Sequence, residues 1–94
     1  MSDRLSEGEI GQALHDLHGW RAEGAEAITR EVTFLDHITA MGFVVRVAMA
    51  AEAMNHHPEL TIVYNRVRAR LSSHDVGGVS ERDLQLAKAI DRYT

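Results

Sequence analysis

The chain has 94 residues, 45% hydrophobic and 26% charged, so one domain over residues 1–94 is expected, with a core limited by the roughly 60–68% of surface that chains of this size bury. Its lack of cysteine excludes a disulfide framework, a Cys-ligated zinc and a thiol nucleophile, and a net charge of −4, with Arg66, Arg68 and Arg70 as the only dense basic patch, disfavours direct nucleic-acid binding. The opening Met1 to Glu9 has no basic region followed by an apolar stretch, and no later apolar run approaches the roughly 20 residues of a membrane span, so a cytoplasmic protein without a membrane partner is expected.

Ser6 and Glu9 have capping-box spacing, and Ile10, Leu14 and Leu17 follow as one helical stripe ending at Gly19. Two strands, Trp20 to Glu23 and Ala27 to Phe34, flank a turn at Gly24, with Ile28, Val32 and Phe34 in alternate positions. Local propensity in Phe43-Val44-Val45-Arg46-Val47 favours strand, but Asp36 is a good N-cap and Ile38, Met41, Val45, Met49 and Glu52 recur at spacings of three and four. The sequence therefore predicts one long helix from His37 to Met54, packed through that stripe. Val44, Val47 and Ala51 lie off the stripe and leave a second apolar side for another partner, such as a second subunit.

Strands from Leu60 to Tyr64 and Arg66 to Ser73 are predicted to form a hairpin turning near Asn65, with Val67, Ala69 and Leu71 facing the core and the three arginines facing outward. Gly77-Gly78 breaks the chain, Ser80 caps a last helix, and Leu86, Ile90 and Tyr93 form its apolar stripe. The order α-β-β-α-β-β-α implies an α+β fold, a four-stranded antiparallel sheet with three helices on one face.

Chemistry concentrates in Asn55-His56-His57-Pro58, His74 and Asp83. Histidine is the side chain whose ordinary pKa lies nearest neutrality, and three of them beside a carboxylate suit proton transfer at cellular pH. The predicted topology brings the end of the long helix, the exit of the last strand and the first turn of the last helix to one rim. Adjacent imidazoles in extended chain point apart, so a bend near Pro58 is needed to aim His56 and His57 at one pocket.

Each residue also has a structural reading. Asp83 stands three positions after Ser80, where a capping carboxylate is common, and Tyr64 reads as a cross-strand aromatic. Trp20 reads as core with an edge that can approach the pocket, His37 as a surface residue, and the arginine row as a solvated strand face. Three histidines can also hold zinc, but His56 and His57 lack the i, i+4 spacing that makes helical ligands converge, and His15 and His18 belong to another helix.

The chain resembles the pterin-4a-carbinolamine dehydratase family over nearly its whole length. The resemblance is carried by Gly19-Trp20, Met41-Gly42-Phe43, Arg46-Val47-Ala48 and Ser80-Glu81-Arg82-Asp83, and by the gapped series Glu52, His56, His57, Pro58, Tyr64, His74 and Asp83. It implies loss of water from 4a-hydroxytetrahydropterin to give quinonoid dihydropterin, which is recycled for aromatic amino-acid hydroxylases, without metal or organic cofactor. It implies His57 as leading acid/base, with His56 and His74 binding and polarising the pterin, either of them able to serve as the acid for a substrate of opposite 4a configuration, and Asp83 tuning or orienting a histidine. Glu52, four residues before His56, is placed to orient that imidazole. Glu52, Asn55, Pro58, Ser72, Ser73 and Asp75 are implied to bind the substrate. Leu60, where the family often has an aromatic, and Ser73, where threonine is frequent, depart from the pattern. The same resemblance implies a homodimer or homotetramer, pairing through the sheet and the long helix. A second role is also implied, because relatives of this fold serve as dimerisation or assembly partners of other proteins.

Overall fold

A computed structural model describes residues 3–94; Met1 and Ser2, included in the expected domain, lie outside the described residues. The chain runs α1 (Glu7–Leu14), β1 (Arg21–Glu23), β2 (Ala27–Thr33), α2 (His37–Met54), β3 (Glu59–Val63), β4 (Arg66–Leu71) and α3 (Glu81–Asp91). All pairings are antiparallel, in the spatial order β1-β2-β4-β3. The two hairpins thus meet through β2 and β4, and β1 and β3 are the edges.

Local chemistry sets most boundaries. Ser6 and Glu9 exchange hydrogen bonds in a capping box at the start of α1. The helix ends earlier than its apolar stripe, yet bonds from Asp16 N–H to the Ala13 carbonyl and from Leu17 N–H to the Leu14 carbonyl continue as tight turns, which carry Leu17 into the core. Asp36 accepts the Thr39 N–H at 2.8 Å and opens α2. At the β3–β4 turn, Tyr64 has φ +53°, unusual for a bulky residue. It sits at the hairpin tip instead of opposite another strand residue, with its carbonyl accepting from His37 Nδ1 at 2.7 Å and its ring stacked on that imidazole.

On one side of the sheet, Ile28, Val67, Ala69 and Leu71 meet Ile10, Phe43, Val47, Leu86 and Ile90 in a continuous core. On the other side, Arg68 and Arg70 both reach Glu23 at 3.0 Å, so part of the arginine row is ion-paired across the open face. Trp20 is buried, but its indole N–H goes to Asp91 of α3 at 2.8 Å, where Arg30 also binds at 2.6 Å.

The long helix has its predicted bounds, but its faces are reversed. Ala40, Phe43, Val47 and Ala51 are buried, whereas Ile38, Val45 and Met49 are 82%, 55% and 68% exposed. The two stripes are two residues apart, about 200° around a helix, so they occupy opposite sides. The alanines let the helix sit close to its neighbours, and the bulkier apolar residues are left outside. The helix also corrects the expectation about span length: at 18 residues and mean hydropathy 1.2 it is long and apolar enough to cross a membrane by those two criteria. Here one of its sides forms part of the core.

Candidate functional site

Asn55 is the residue that divides the two histidines. It caps α2 in the left-handed conformation, φ 52° and ψ 42°, which asparagine adopts more readily than most residues. Its N–H and that of His56 bond back to the last turn of α2. The bend therefore comes at Asn55, before the histidines, and not at Pro58 as the sequence suggested. It turns His56 inward, where 9% of the residue is exposed, and leaves His57 at the surface.

The segment after β4 is folded back just as tightly. Ser73 and Gly78 form an isolated antiparallel bridge around His74 to Gly77, and Gly77 takes φ +71°. Val79 N–H bonds to the Ala25 carbonyl, and a Cβ at position 78 would stand 2.5 Å from that same oxygen, so Gly78 is required by close approach. This loop presents Ser72, His74 and Asp75 beside the end of α2.

Together Asn55, His56, His57, Ser72, His74, Asp75 and Arg82 line an open cleft of about 560 Å³. A hollow of similar volume on the open sheet face is lined by Gly19, Arg21, Ala22, Glu23, Thr29, Arg30, Glu31 and Arg68 and contains no imidazole. Of the two hollows, the first alone is lined by imidazoles.

Two carboxylates serve the histidines in different surroundings. His56 Nε2 lies 2.5 Å from Asp83 Oδ1, and Asp83 is completely buried. The other oxygen, Oδ2, accepts from Ser73 Oγ at 2.8 Å and from the Ser80 N–H at 3.0 Å. His57 Nε2 lies 2.8 Å from Glu52 Oε1, and those two side chains are 56% and 80% exposed. The predicted partnership is thus corrected: Glu52 engages His57, whereas Asp83 engages His56. His74 is exposed at the rim and stands apart from both pairs.

The remaining predicted residues divide in the same way. Ser72 lines the cleft while its hydroxyl donates to the Glu26 carbonyl at 2.6 Å. Ser73 is 1% exposed and its hydroxyl is committed behind the cleft, to Asp83 and Ser80. Pro58 is half-buried between His57 and β3 and is not among the lining residues. Trp20 is likewise absent from the lining.

Arg82 is the site residue that the sequence reading did not single out. It donates to Asp75 at 2.6 Å, and this hydrogen bond holds the Asp75 carboxyl below its usual range. The available signal was its place beside Asp83 in the first turn of α3, the turn that faces the loop. Among the described residues, no three His, Asp or Glu side chains converge as a metal site requires.

Comparison with known proteins places the chain in a family. The family described as pterin 4 alpha carbinolamine dehydratase matches residues 3–93. A protein of Koribacter versatilis, provisionally named as a pterin-4-alpha-carbinolamine dehydratase, is 51% identical over 87 residues, covering 93% of this chain and 92% of its own. One of Nitrobacter winogradskyi, named in the same way, is 48% identical and covers 97% and 91%. The crystal structure of a transcriptional coactivator/pterin dehydratase from Brucella melitensis superposes with a TM-score of 0.92 at 42% identity, covering 97% of this chain and 98% of that one. A pterin dehydratase-like protein identified as a RuBisCO assembly factor in the alpha-carboxysome shares the fold, with a TM-score of 0.69 at 20% identity over 81% of this chain and 89% of its own. With a family match over nearly its full length and close relatives covering almost all of it, this chain belongs to the pterin 4 alpha carbinolamine dehydratase family.

Proposed function

We propose that this protein dehydrates 4a-hydroxytetrahydropterin to quinonoid dihydropterin by imidazole acid/base catalysis. The observation that carries the reading is the pair of carboxylate–histidine contacts, one buried and one exposed, at a single cleft in a chain of this family.

In the proposed reaction the C4a–O bond breaks with its electron pair on oxygen, which takes a proton from an imidazolium. A ring nitrogen gives its proton to a neutral imidazole, and the electrons of its N–H bond close the new carbon–nitrogen double bond. Water is the only other product. Hydroxide is a poor leaving group, so the acid is essential, and a group titrating near neutrality can serve as donor or acceptor. His57, exposed beside the cleft and oriented by Glu52, is the leading acid/base. His56 and His74 bind and polarise the pterin, and Asp75, held by Arg82, lies on the rim where donor groups of the pterin edge can reach it. The outward apolar stripe of α2 and the edge strand β3 support self-association as a dimer or tetramer.

The test follows dehydration of 4a-hydroxytetrahydropterin generated in situ by a hydroxylase, with purified protein and EDTA present. Acceleration that survives EDTA and falls by about 10²–10⁴-fold in His57→Ala is expected, the usual contribution of a general acid/base. A folded protein with no acceleration overturns the reading. That result favours the second reading, a binding partner for another protein, for which the exposed face of α2 offers a contact surface.

A further inference from the structure

We propose that Ser80 and Ser73 are positioning residues that fix where the proton sits on His56. They do so through Asp83, so that Nε2 carries a permanent proton and Nδ1 is the atom free to give or take one. The catalytic consequence rests on the dehydratase reading; the proton assignment does not.

The argument begins with a count of donors. Ser73 Oγ lies 2.8 Å from Asp83 Oδ2 and 2.6 Å from Ser80 Oγ. A hydroxyl has one proton, and an ionised carboxylate can only accept. Ser73 therefore donates to Asp83, and at its other contact it accepts the proton of Ser80. The hydrogen bonds run in one direction, from Ser80 to Ser73 to Asp83, with the Ser80 backbone N–H adding a further donor to the same Oδ2. Ser73, Ser80 and Asp83 are 1%, 0% and 0% exposed, so no bulk water competes. Chains of this kind polarise one another and strengthen in a low-dielectric interior.

These donors decide between two arrangements of the pair. In one, Asp83 is ionised and accepts from His56 Nε2–H. In the other, the proton sits on Asp83 Oδ1, Nε2 accepts it, and the ring carries its hydrogen on Nδ1. Two donors on Oδ2 favour the negative carboxylate and hence the first arrangement. Among the described residues His56 Nδ1 has no hydrogen-bond partner and Arg82 Nε is the one unpartnered buried side-chain nitrogen or oxygen, so Nδ1 retains access to solvent at the cleft. The serines thus act on the cleft from behind, through a carboxylate that never touches the substrate.

Ring nitrogen NMR of the ligand-free protein tests the assignment without reference to activity. The expected spectrum for neutral His56 has a protonated Nε2 and an unprotonated Nδ1. Removing the hydroxyl in Ser80→Ala should shift the two ring nitrogens toward each other as the competing arrangement becomes populated, and Ser80→Thr, which keeps a hydroxyl, should restore the wild-type pattern. In the dehydration assay Ser80→Ala should lower kcat about 3–10-fold and leave KM within about twofold, the pattern of a lost interaction that matters only in the transition state. A wild-type spectrum with the proton on Nδ1 overturns the proposal, and it needs no variant to fold. Unchanged ring nitrogens and kcat in folded Ser80→Ala overturn it as well. The expected spectra in a protein that does not dehydrate the pterin uphold the proton assignment and reject the dehydratase reading instead.

Discussion

The two carboxylates that hold histidines differ in burial, and the difference sets what each is worth. Asp83 is closed off from solvent and its side chain takes part in three hydrogen bonds, whereas Glu52 is 80% exposed on its side chain. Disturbing one member of a buried pair costs about 3–5 kcal/mol, while an exposed pair contributes about 0–1 kcal/mol. Asp83→Asn should therefore lose both activity and stability, with a midpoint shift visible in urea unfolding. Glu52→Gln should leave the midpoint unchanged and lower the dehydration rate by no more than about fivefold, the factor equivalent to 1 kcal/mol. Equal effects of the two substitutions on rate and unfolding would show that burial does not separate their roles. The sequence made both residues visible as candidates but assigned Glu52 to the wrong imidazole. A spacing of four residues along a helix is informative only while the helix continues, and the left-handed turn at Asn55 ends it one residue before His56.

At the scale of elements, the two helical stripes of α2 explain both a success and an error. Its length and N-cap were legible because Asp36 and the alanine-rich second half act locally. Its orientation was not, because Ile38–Met41–Val45–Met49 and Ala40–Phe43–Val47–Ala51 both have helical periodicity, and hydrophobic bulk favours the set that ends up outside. Which set packs inward depends on how closely helix and sheet approach, a tertiary property that alanine permits and periodicity does not encode. The strands were easier to orient. The alternation of Val67, Ala69 and Leu71 with three arginines leaves one face suited to a core. Phe43, 1% exposed and in contact with the Phe34 ring at 4.8 Å between centroids, is the anchor of the buried face of α2. Phe43→Ala should cost about 3–5 kcal/mol in chemical unfolding. In dilute solution Met49→Ala should cost far less, and the reverse order would return the helix to the orientation read from the sequence.

For the whole molecule, the histidine cleft opens just beyond the C-terminal end of α2, the same helix whose outer face is exposed. All seven lining residues of the cleft are polar or charged. The outward stripe, by contrast, leaves Ile38, Val45 and Met49 largely in water, a contiguous apolar surface of a kind that usually marks an interface. A charge in the middle of that stripe should separate the two properties. Val45 is 55% exposed and lies about two helical turns before Glu52, far enough to leave the Glu52–His57 contact undisturbed. Sedimentation equilibrium of Val45→Glu should give a smaller species than the unsubstituted protein, because a carboxylate facing its copy across an apolar contact is desolvated without a partner. The rate per chain should stay within about twofold, as expected for a substitution that removes no transition-state contact. If the unsubstituted protein is an oligomer and the mass is unchanged, association runs through another surface, and the β3 edge becomes the next site for a charge; if it is a monomer, the proposed self-association is wrong. If mass and rate fall together while circular dichroism shows an intact fold, the cleft depends on assembly, and its chemistry must be assigned to the oligomer instead of the single chain.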